Sequence, residues 1–372
     1  MIRVQITNEI LNRILEIERN RLSMESVPVL TSEKNRLRTI SAKKSAYSSN
    51  KIEGNPLTEE QANRAIEADP HQHFLKPETE IRNYFMAIEF LNRKLEANIP
   101  YSTDLLLQIQ SIMEKGAPAE KRGLRGPTPP GVLFAVYDSQ SGEAEYIPPE
   151  YCDIPELLAE LEDYVNQTDD HPLLIAAVVH YQLVTIHPFE DGNGRTARLL
   201  SNYILESRGY HFNGIGSLEE YFAYDPQEYY DSLQMGLPAL YYSGRIDPPH
   251  PEIWLNYILR MVALYSEGVC RIAKEHADTV SFPGLIFLKK GERELLRYLL
   301  ENRCDSFTPV MIGKALGVTN KTIINRCVAL TENGFITPVI GKERIRHYNV
   351  TEIIRTNREI LLRSLIEKDA LA

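Results

Sequence analysis

Apolar residues recur at helical spacing through most of the first hundred positions. The opening stretch MIRVQITNEILNRILEIERNR sets apolar residues between charges at that spacing and predicts an amphipathic helix. In ETEIRNYFMAIEFLNRKLEAN, Ile81, Tyr84, Phe85, Ile88 and Leu91 share one face, the pattern of a helix turned to a core. STDLLLQIQSIMEKG predicts another helix, with Ser102 or Thr103 as its N-cap and Gly116 as its stop.

The pattern then breaks. Glycines and prolines surround a short run of strand formers, Val132 to Tyr137. The stretch Asp138–Gly142 is a turn signal, and EAEYI can return as a second strand. Prolines 129, 130, 148 and 149 fence this hairpin off from any larger sheet. Helical spacing resumes in DIPELLAELEDYVNQ. Next comes LLIAAVVHYQLVTI, residues 173–186, beginning near Pro172 and apolar almost all round, as expected of the central helix of a bundle. A further helix starts around Gly194 with Leu199, Leu200, Tyr203 and Ile204 turned inward.

The turn-rich stretch 243–253 closes this region, and WLNYILRMVALYSEGVCRIAKEH predicts a connecting helix. From about residue 290 come two short helices, a glycine turn, a third helix and two strands around Gly341–Lys342. The whole predicts a mainly α protein. Its expected parts are an N-terminal helical region at 1–100, a main domain at 101–245, a connecting helix at 246–288, and a C-terminal domain with its tail at 289–372.

Composition narrows the classes. Lysine plus arginine is 41 against 51 aspartate plus glutamate, a net charge of −10, which argues against a surface coated for nucleic acid. Cys152, Cys270, Cys304 and Cys327 lie far apart, which fits neither a disulfide framework nor a zinc site and points to a reducing compartment. The N-terminus lacks the signal-peptide pattern, and the run at 173–186, carrying His180 and Gln182, is too short and polar to span a bilayer. The expectation is a cytoplasmic chain with no membrane contact.

The densest chemistry lies in HPFEDGNGRTARLL, residues 187–200. A buried helix that ends in a glycine loop and gives way to another helix leaves backbone amides aimed out of the second helix's start. Those amides and the helix dipole favour an anion. Gly192, Asn193 and Gly194 occupy the turn, and Arg195 and Arg198, three apart, reach the same side. Two arginines beside a helix start suit a polyphosphate. Asp191 is placed to hold a Mg²⁺, and His187 to take a proton from an attacking hydroxyl.

Other readings of these residues stay open. GNGRTA matches G-x-G-x-x-A, although the strand that a dinucleotide fingerprint requires is missing. His180, His187 and Asp191 could ligate a metal, and the arginines and acids could form only a solvated helix start. The chain has no G-x-x-x-x-G-K-[ST], which excludes a P-loop enzyme.

HPFEDGNGR with Arg198 resembles the Fic family signature HPFx[DE]GNGRxxR at every defined position. The resemblance implies a helical Fic domain with a β-hairpin flap, and transfer of AMP from ATP to a Ser, Thr or Tyr hydroxyl of a target protein or of the chain itself. It implies His187 as base, Asp191 as Mg²⁺ ligand, and Gly192, Asn193 and Gly194 as the anion hole for the α- and β-phosphates. Arg195 would hold the β-phosphate and Arg198 the γ-phosphate, while Phe189 seats the loop. Relatives that move phosphate or phosphocholine usually depart from this loop, and here there is no such departure.

Upstream, Ser49 to Gly54 in SSNKIEGNPLT resembles the family's inhibitory motif [ST]xxxE[GN]. The resemblance implies that Glu53 folds onto the site, pairs with Arg198 and displaces the γ-phosphate. A helix end stopped by Gly54 also fits these residues. Downstream, LEEYFAYDPQEYYDSL is similar to the family's adenine-side region, with Tyr229 as a candidate for the base. Asp225 and Pro226 stand where relatives often carry an asparagine–arginine pair.

FTPVMIGKALGVTNKTIINRCVALTENGFI, with the strands after it, looks like a winged helix. Between 289 and 346 there are eleven Lys/Arg and six Asp/Glu. Lys321, Asn325 and Arg326 are expected to face outward, and Lys342, Arg344 and Arg346 to lie in the wing. Contact with DNA and contact with protein, including a homodimer partner, both fit. Two functions therefore compete: an autoinhibited adenylyltransferase and a nucleotide-sensing DNA-binding regulator.

Overall fold

The computed structural model describes residues 2–370 apart from 26, 28, 30, 119–121, 138–141, 143, 238–241, 278–281 and 342–344. The chain forms two compact units, residues 1–24 with 36–271, and residues 25–35 with 272–372. No described helix is long and apolar enough to cross a membrane.

The first unit is helical. Its elements are most of α1 (Asn8–Glu25) and of α2 (Thr31–Ile52), then α3 (Glu59–Glu67), α4 (Lys76–Glu96) and α5 (Thr103–Met113). A hairpin of β1 (Val136–Tyr137) and β2 (Ala144–Tyr146) follows, then α6 (Ile154–Gln167), α7 (Pro172–Ile186) and α8 (Asn193–Ser207). The unit ends with α9 (Glu219–Tyr224), α10 (Pro226–Gln234) and most of α11 (Pro251–Ala277).

Local chemistry places several of these ends. Thr58 accepts from Gln61 N while Gln61 Oε1 accepts from Thr58 N, a reciprocal cap that starts α3. Ser102, the N-cap of α5, accepts from Leu105 N at 3.1 Å. Pro172 opens α7, where its missing N–H costs nothing.

α7 is the central helix, with every residue from Leu173 to Leu183 buried between α6, α8 and the turn at 242–245. On α4 the buried face is Ile81, Asn83, Tyr84, Ala87 and Leu91. Phe85 and Ile88, expected on that face, are half-buried at its flank. The helix read as a connector packs into the first unit as far as Arg271. Trp254 and Leu255 are buried there, and Trp254 Nε1 donates to Ala177 O of α7 at 2.8 Å.

The hairpin is shorter than the run of strand formers suggests. Only Val136–Tyr137 pairs with 144–146, in antiparallel register with a bulge. Residues 132–135 are irregular, and the turn at 138–141 lies outside the described residues.

The second unit runs α12 (Lys290–Glu301), β3 (Ser306–Phe307), α13 (Pro309–Leu316), α14 (Asn320–Glu332), β4 (Ile336–Ile340), β5 (Ile345–Val350), α15 (Glu352–Thr356) and α16 (Arg358–Ala370). Leu295, Leu299, Ile312, Ile323, Leu330, Phe335 and Tyr348 form its core. The antiparallel sheet has the order β3-β5-β4, so Pro338 sits on an edge strand where its missing donor is tolerated. The two-residue β3 escapes a sequence reading because it is too short to alternate.

Candidate active site

The loop between α7 and α8 turns on two left-handed residues. Gly192, at φ +80°, is the residue type that enters this conformation without steric cost. His187, at φ +50°, adopts it with a Cβ, a strain held by surrounding contacts. Its backbone N donates to Leu183 O at 3.1 Å, and its Nδ1 lies 3.3 Å from Val184 O. A carbonyl only accepts, so Nδ1 carries the proton and the Nε2 lone pair is left for other work. Burial pushes the imidazole pKa down to about 4 despite the Val184 carbonyl, so His187 is neutral at pH 7.

Arg125, which belongs to none of the sequence motifs, supports that strained residue. Its Nε donates to His187 O at 2.8 Å, its backbone N to Pro188 O at 2.9 Å, and its Nη2 to Pro149 O. The guanidinium lies 4.6 Å from the centre of the Phe134 ring, and that ring lies 6.1 Å from the His187 ring. One cation thus ties the histidine to the two sides of the hairpin.

Phe189 is fully buried and seats the loop. The Asn193 side chain closes a small ring with it, accepting from Phe189 N at 3.0 Å and donating to Phe189 O at 2.9 Å. The helix N-terminus of α8 therefore stands in a fixed direction. Asp191 Oδ1 accepts from Gly192 N at 2.6 Å and from Arg195 Nη2 at 3.1 Å, with its side chain 42% exposed. Gly194 faces Glu53, and a Cβ there would lie 2.4 Å from Glu53 Oε1. Only glycine admits that approach.

Both arginines are engaged by groups from elsewhere in the chain. Arg198, fully buried, donates through Nε to Ser49 Oγ at 2.8 Å and through Nη2 to Ser49 O at 3.0 Å and Glu53 Oε1 at 2.7 Å. Burial opposes its charge, but Glu53 together with Tyr229, Tyr84 and Tyr230 more than offsets this, and the guanidinium pKa is held above its ordinary value. Arg195 Nη2 also lies 3.6 Å from Glu114 Oε1, and Nη1 donates to Asn50 Oδ1 at 3.4 Å. Glu114 was not legible in the sequence, since nothing in its neighbourhood marks it, and Asn50 sits in the Ser49–Gly54 motif at a position the pattern leaves open.

Tyr229, expected near an adenine, is 1% exposed in this conformation. Its hydroxyl meets His180 Nε2 at 2.9 Å and Arg198 Nη1 at 3.4 Å, so it backs the arginine from behind. The neighbouring Tyr230, 42% exposed, bonds to Ile52 O at 3.3 Å and lines the cleft. His180 is fully buried with Nδ1 3.2 Å from Ser201 Oγ, so neither of its ring nitrogens is available to a metal. Among the described residues no group of three or more His, Cys, Asp or Glu could hold a metal ion. The dinucleotide reading fails as well, because the helix α7, and not a strand, precedes the loop.

Glu53, His187, Gly194, Arg198, Tyr229 and Tyr230 line a cleft of about 1250 Å³, together with Val136 and Tyr137 of the hairpin and Tyr257. It is large enough for a nucleotide and a segment of a second molecule.

On the second unit, Lys321 and Asn325 of α14 and Arg346 of β5 are exposed as expected. Arg326 is not. Its guanidinium turns to Glu294 of α12 at 3.6 Å and is largely covered, because its position on α14 faces that helix. Ile324 and Val328 stand exposed on the outer face. Lys342 and Arg344 lie outside the described residues.

Residues 100–205 match the Fic/DOC family model. A protein adenylyltransferase Fic of Nematostella vectensis is 31% identical over 171 residues, 44% of this chain and 37% of that protein. One from Drosophila willistoni is 27% identical over 203 residues, 53% of this chain and 39% of that protein. The chain thus spans about two-fifths of the length of these curated relatives. A Fic family protein from Desulfovibrio desulfuricans G20 has a similar fold, with TM-score 0.57 and 21% identity over 94% of this chain and 98% of that one. Fic-1 (residues 134–508) from C. elegans superposes with TM-score 0.55 and 25% identity, over 73% of this chain and 74% of that one.

Proposed function

We propose that the Fic domain of this chain is a protein adenylyltransferase, moving AMP from ATP to a hydroxyl of a target protein and releasing pyrophosphate. One observation carries the reading: a neutral histidine with its Nε2 lone pair uncommitted stands beside a helix N-terminus whose first turns bear two arginines. The relatives named above support the same reaction.

In this reading His187 Nε2 takes the proton of the target hydroxyl. The hydroxyl oxygen then attacks the α-phosphorus, and the bond from that phosphorus to the oxygen bridging to the β-phosphate breaks. The backbone amides of Gly192, Asn193 and Gly194, aligned with the dipole of α8, face the phosphates. Arg195 holds the β-phosphate and Arg198 the γ-phosphate. Arg125 keeps His187 in its left-handed conformation. Tyr230 and Tyr257 line the part of the cleft that takes the base.

Asp191 suits a Mg²⁺ ion, since a partly exposed hard carboxylate beside the anion loop can supply one ligand and leave the rest to phosphate oxygens and water. When bound, Mg²⁺ neutralises charge on the leaving pyrophosphate.

The described conformation is then an inhibited one. Glu53 occupies the guanidinium that the γ-phosphate needs, and its carboxylate would repel that phosphate. The inhibitor is part of the same chain.

The helix, strand, helix, helix, strand, strand order of the second unit supports reading it as a winged helix. Its outer α14 face, with Ile324 and Val328 exposed and Arg326 withdrawn to Glu294, favours docking of a protein over reading of DNA. Mass spectrometry of the chain and candidate targets after incubation with ATP and Mg²⁺ tests the main reading. A mass increase of one AMP supports it. Salt-dependent retention of DNA with no added AMP would favour the nucleotide-sensing regulator instead.

A further inference from the structure

The face that α2 turns inward is made mostly of small polar side chains. Ser41, Ser45, Ser48, Ser49 and Asn50 are all buried, with Ala46 among them. Serines bury little apolar area, so this helix is held by directed hydrogen bonds and not by a greasy seam. Those bonds converge on one segment, residues 213–220. Arg38 Nε donates to Asn213 O at 2.6 Å, and Gly216 N donates to Ser41 Oγ at 2.7 Å. Lys44 Nζ pairs with Glu220 Oε1 at 2.9 Å, and Ser45 Oγ donates to Glu219 Oε2 at 2.8 Å.

Glu219 is the centre of the seam. It is a buried carboxylate whose hydrogen-bond donors are all neutral. Oε1 accepts from Tyr84 Oη at 3.1 Å and Asn202 Nδ2 at 2.9 Å, and Oε2 from Ser45 Oγ and from Ser217 Oγ at 3.1 Å. A carboxylate is stable in such a place only while its lone pairs are satisfied.

The same helix reaches the active site one turn further on, where Ser49 Oγ accepts from Arg198 Nε at 2.8 Å. Ser45 and Ser49 lie four apart and share a face of α2, so the contact that fixes Ser45 on Glu219 also sets where Ser49, and Glu53 beyond it, stand.

We propose that Glu219 is the positioning residue of the inhibitory helix: by binding Ser45, it holds α2 in the register that delivers Glu53 to Arg198. The proposal rests on the reading of Glu53 as an inhibitor. Because the seam is mostly polar, with Leu37, Ala46 and Ile52 as the buried apolar side chains of α2, its release would bare little apolar surface, which suits a helix built to be released.

Hydrogen exchange of the α2 amides in the full chain tests the positioning without any catalytic step. Glu219→Ala is expected to speed exchange at residues 41–53 by about tenfold or more. Glu219→Gln should restore much of the protection, since its carbonyl still accepts from Asn202 while the hydroxyls rotate to accept from its amide. Ser45→Ala, which leaves the other three donors in place, should speed exchange less but in the same direction. If Glu219→Ala does not fold, Ser45→Ala decides, and wild-type protection of α2 in a folded variant overturns the proposal.

Initial AMP transfer to fresh target supplies the second readout. Glu219→Ala should raise it toward the rate of Glu53→Gly, and adding it to Glu53→Gly should change the rate by less than about twofold, since both act through one contact. A double variant much slower than Glu53→Gly would show that Glu219 serves the active site itself, and overturns the proposal. An unchanged rate in Glu53→Gly would instead overturn the reading of Glu53, with the exchange result still standing on its own.

Discussion

Glu53 Oε1 lies 2.7 Å from Arg198 Nη2, although 145 positions separate the two residues in the chain. The arginine is fully enclosed and the carboxylate is about one third exposed, so the acid is the partner that can leave. Glu53→Gly is therefore expected to raise initial AMP transfer above wild type, and Arg198→Ala in that background to lose much of the gain. The same variant strands a buried guanidinium, so its Tm should fall without ATP and rise more than that of wild type when ATP is added. Initial rates with unmodified target and thermal melts check both. An unchanged or slower rate returns the stretch KIEGN to an ordinary helix end.

His187→Ala should lower transfer by about 10²- to 10⁴-fold, the usual cost of losing a general base. ATP binding should survive, because the phosphate contacts belong to other residues. Calorimetric titration with ATP and a labelling assay separate the two effects. Labelling at the wild-type rate would end the assignment.

Burial holds the His187 imidazole pKa at about 4, below its ordinary 6.5. The base is thus already neutral, and transfer by Glu53→Gly should show no His187 inflection between about pH 6 and 8, falling only under more acid conditions. The sign for stability follows from the same shift. An unfolded histidine takes up a proton near pH 6.5 that the folded one refuses, so this contribution is full above that pH and is lost as pH falls toward 4. His180, fully buried and shifted in the same direction, adds to the effect. A rate profile with an inflection near pH 6.5 that His187→Ala abolishes would contradict the burial argument.

A chelator should stop transfer, and Asp191→Ala should act like the chelator even with Mg²⁺ present. Asp191→Ala also frees Arg195 from one of its two carboxylates, leaving Glu114 at 3.6 Å. The phosphate-binding arginine should therefore stay in place. ATP affinity measured with and without Mg²⁺ should differ in wild type and converge in the variant. Full activity in Asp191→Ala would remove the residue from the mechanism.

Arg125→Ala should leave the His187 and Pro149 carbonyls without their donor, at about 1–3 kcal/mol of stability for a buried unsatisfied group. In the Glu53→Gly background it should slow transfer with ATP binding retained, since what it loses is the aim of the histidine. Arg125→Lys should recover part of the stability but less of the rate, because one ammonium cannot reproduce the fork. Equal rates with and without the arginine would make its contact to His187 incidental.

How much of this was legible depends on how far apart the cooperating residues lie. The anion loop was readable because a helix end, three loop residues and two arginines one turn apart cooperate within twelve positions, where local geometry alone sets their directions. The all-apolar run of α7 likewise declares its central place, and Ser49 and Glu53, four apart, had to share a face of α2. What they face was not written locally. Glu114, Arg125 and Glu219 reach the loop or α2 from three separate segments, and no spacing rule links them.

Rotation about a helix axis decided other cases. Tyr229 and Tyr230 are adjacent, yet about 100° of helical turn sends one hydroxyl behind Arg198 and the other to the cleft. Arg326 reads as an outward base in a basic segment and is instead drawn to Glu294. By itself, then, the sequence determined which elements are helices, where the buried one lies, and what chemistry the loop between α7 and α8 can carry, because each of these follows from neighbours along the chain. Only the tertiary structure decided that both arginines meet acids, that Arg125 donates to the His187 carbonyl, and that the buried Glu219 accepts from Ser45 of α2. These contacts join residues up to 174 positions apart, and packing alone brings them within hydrogen-bonding distance.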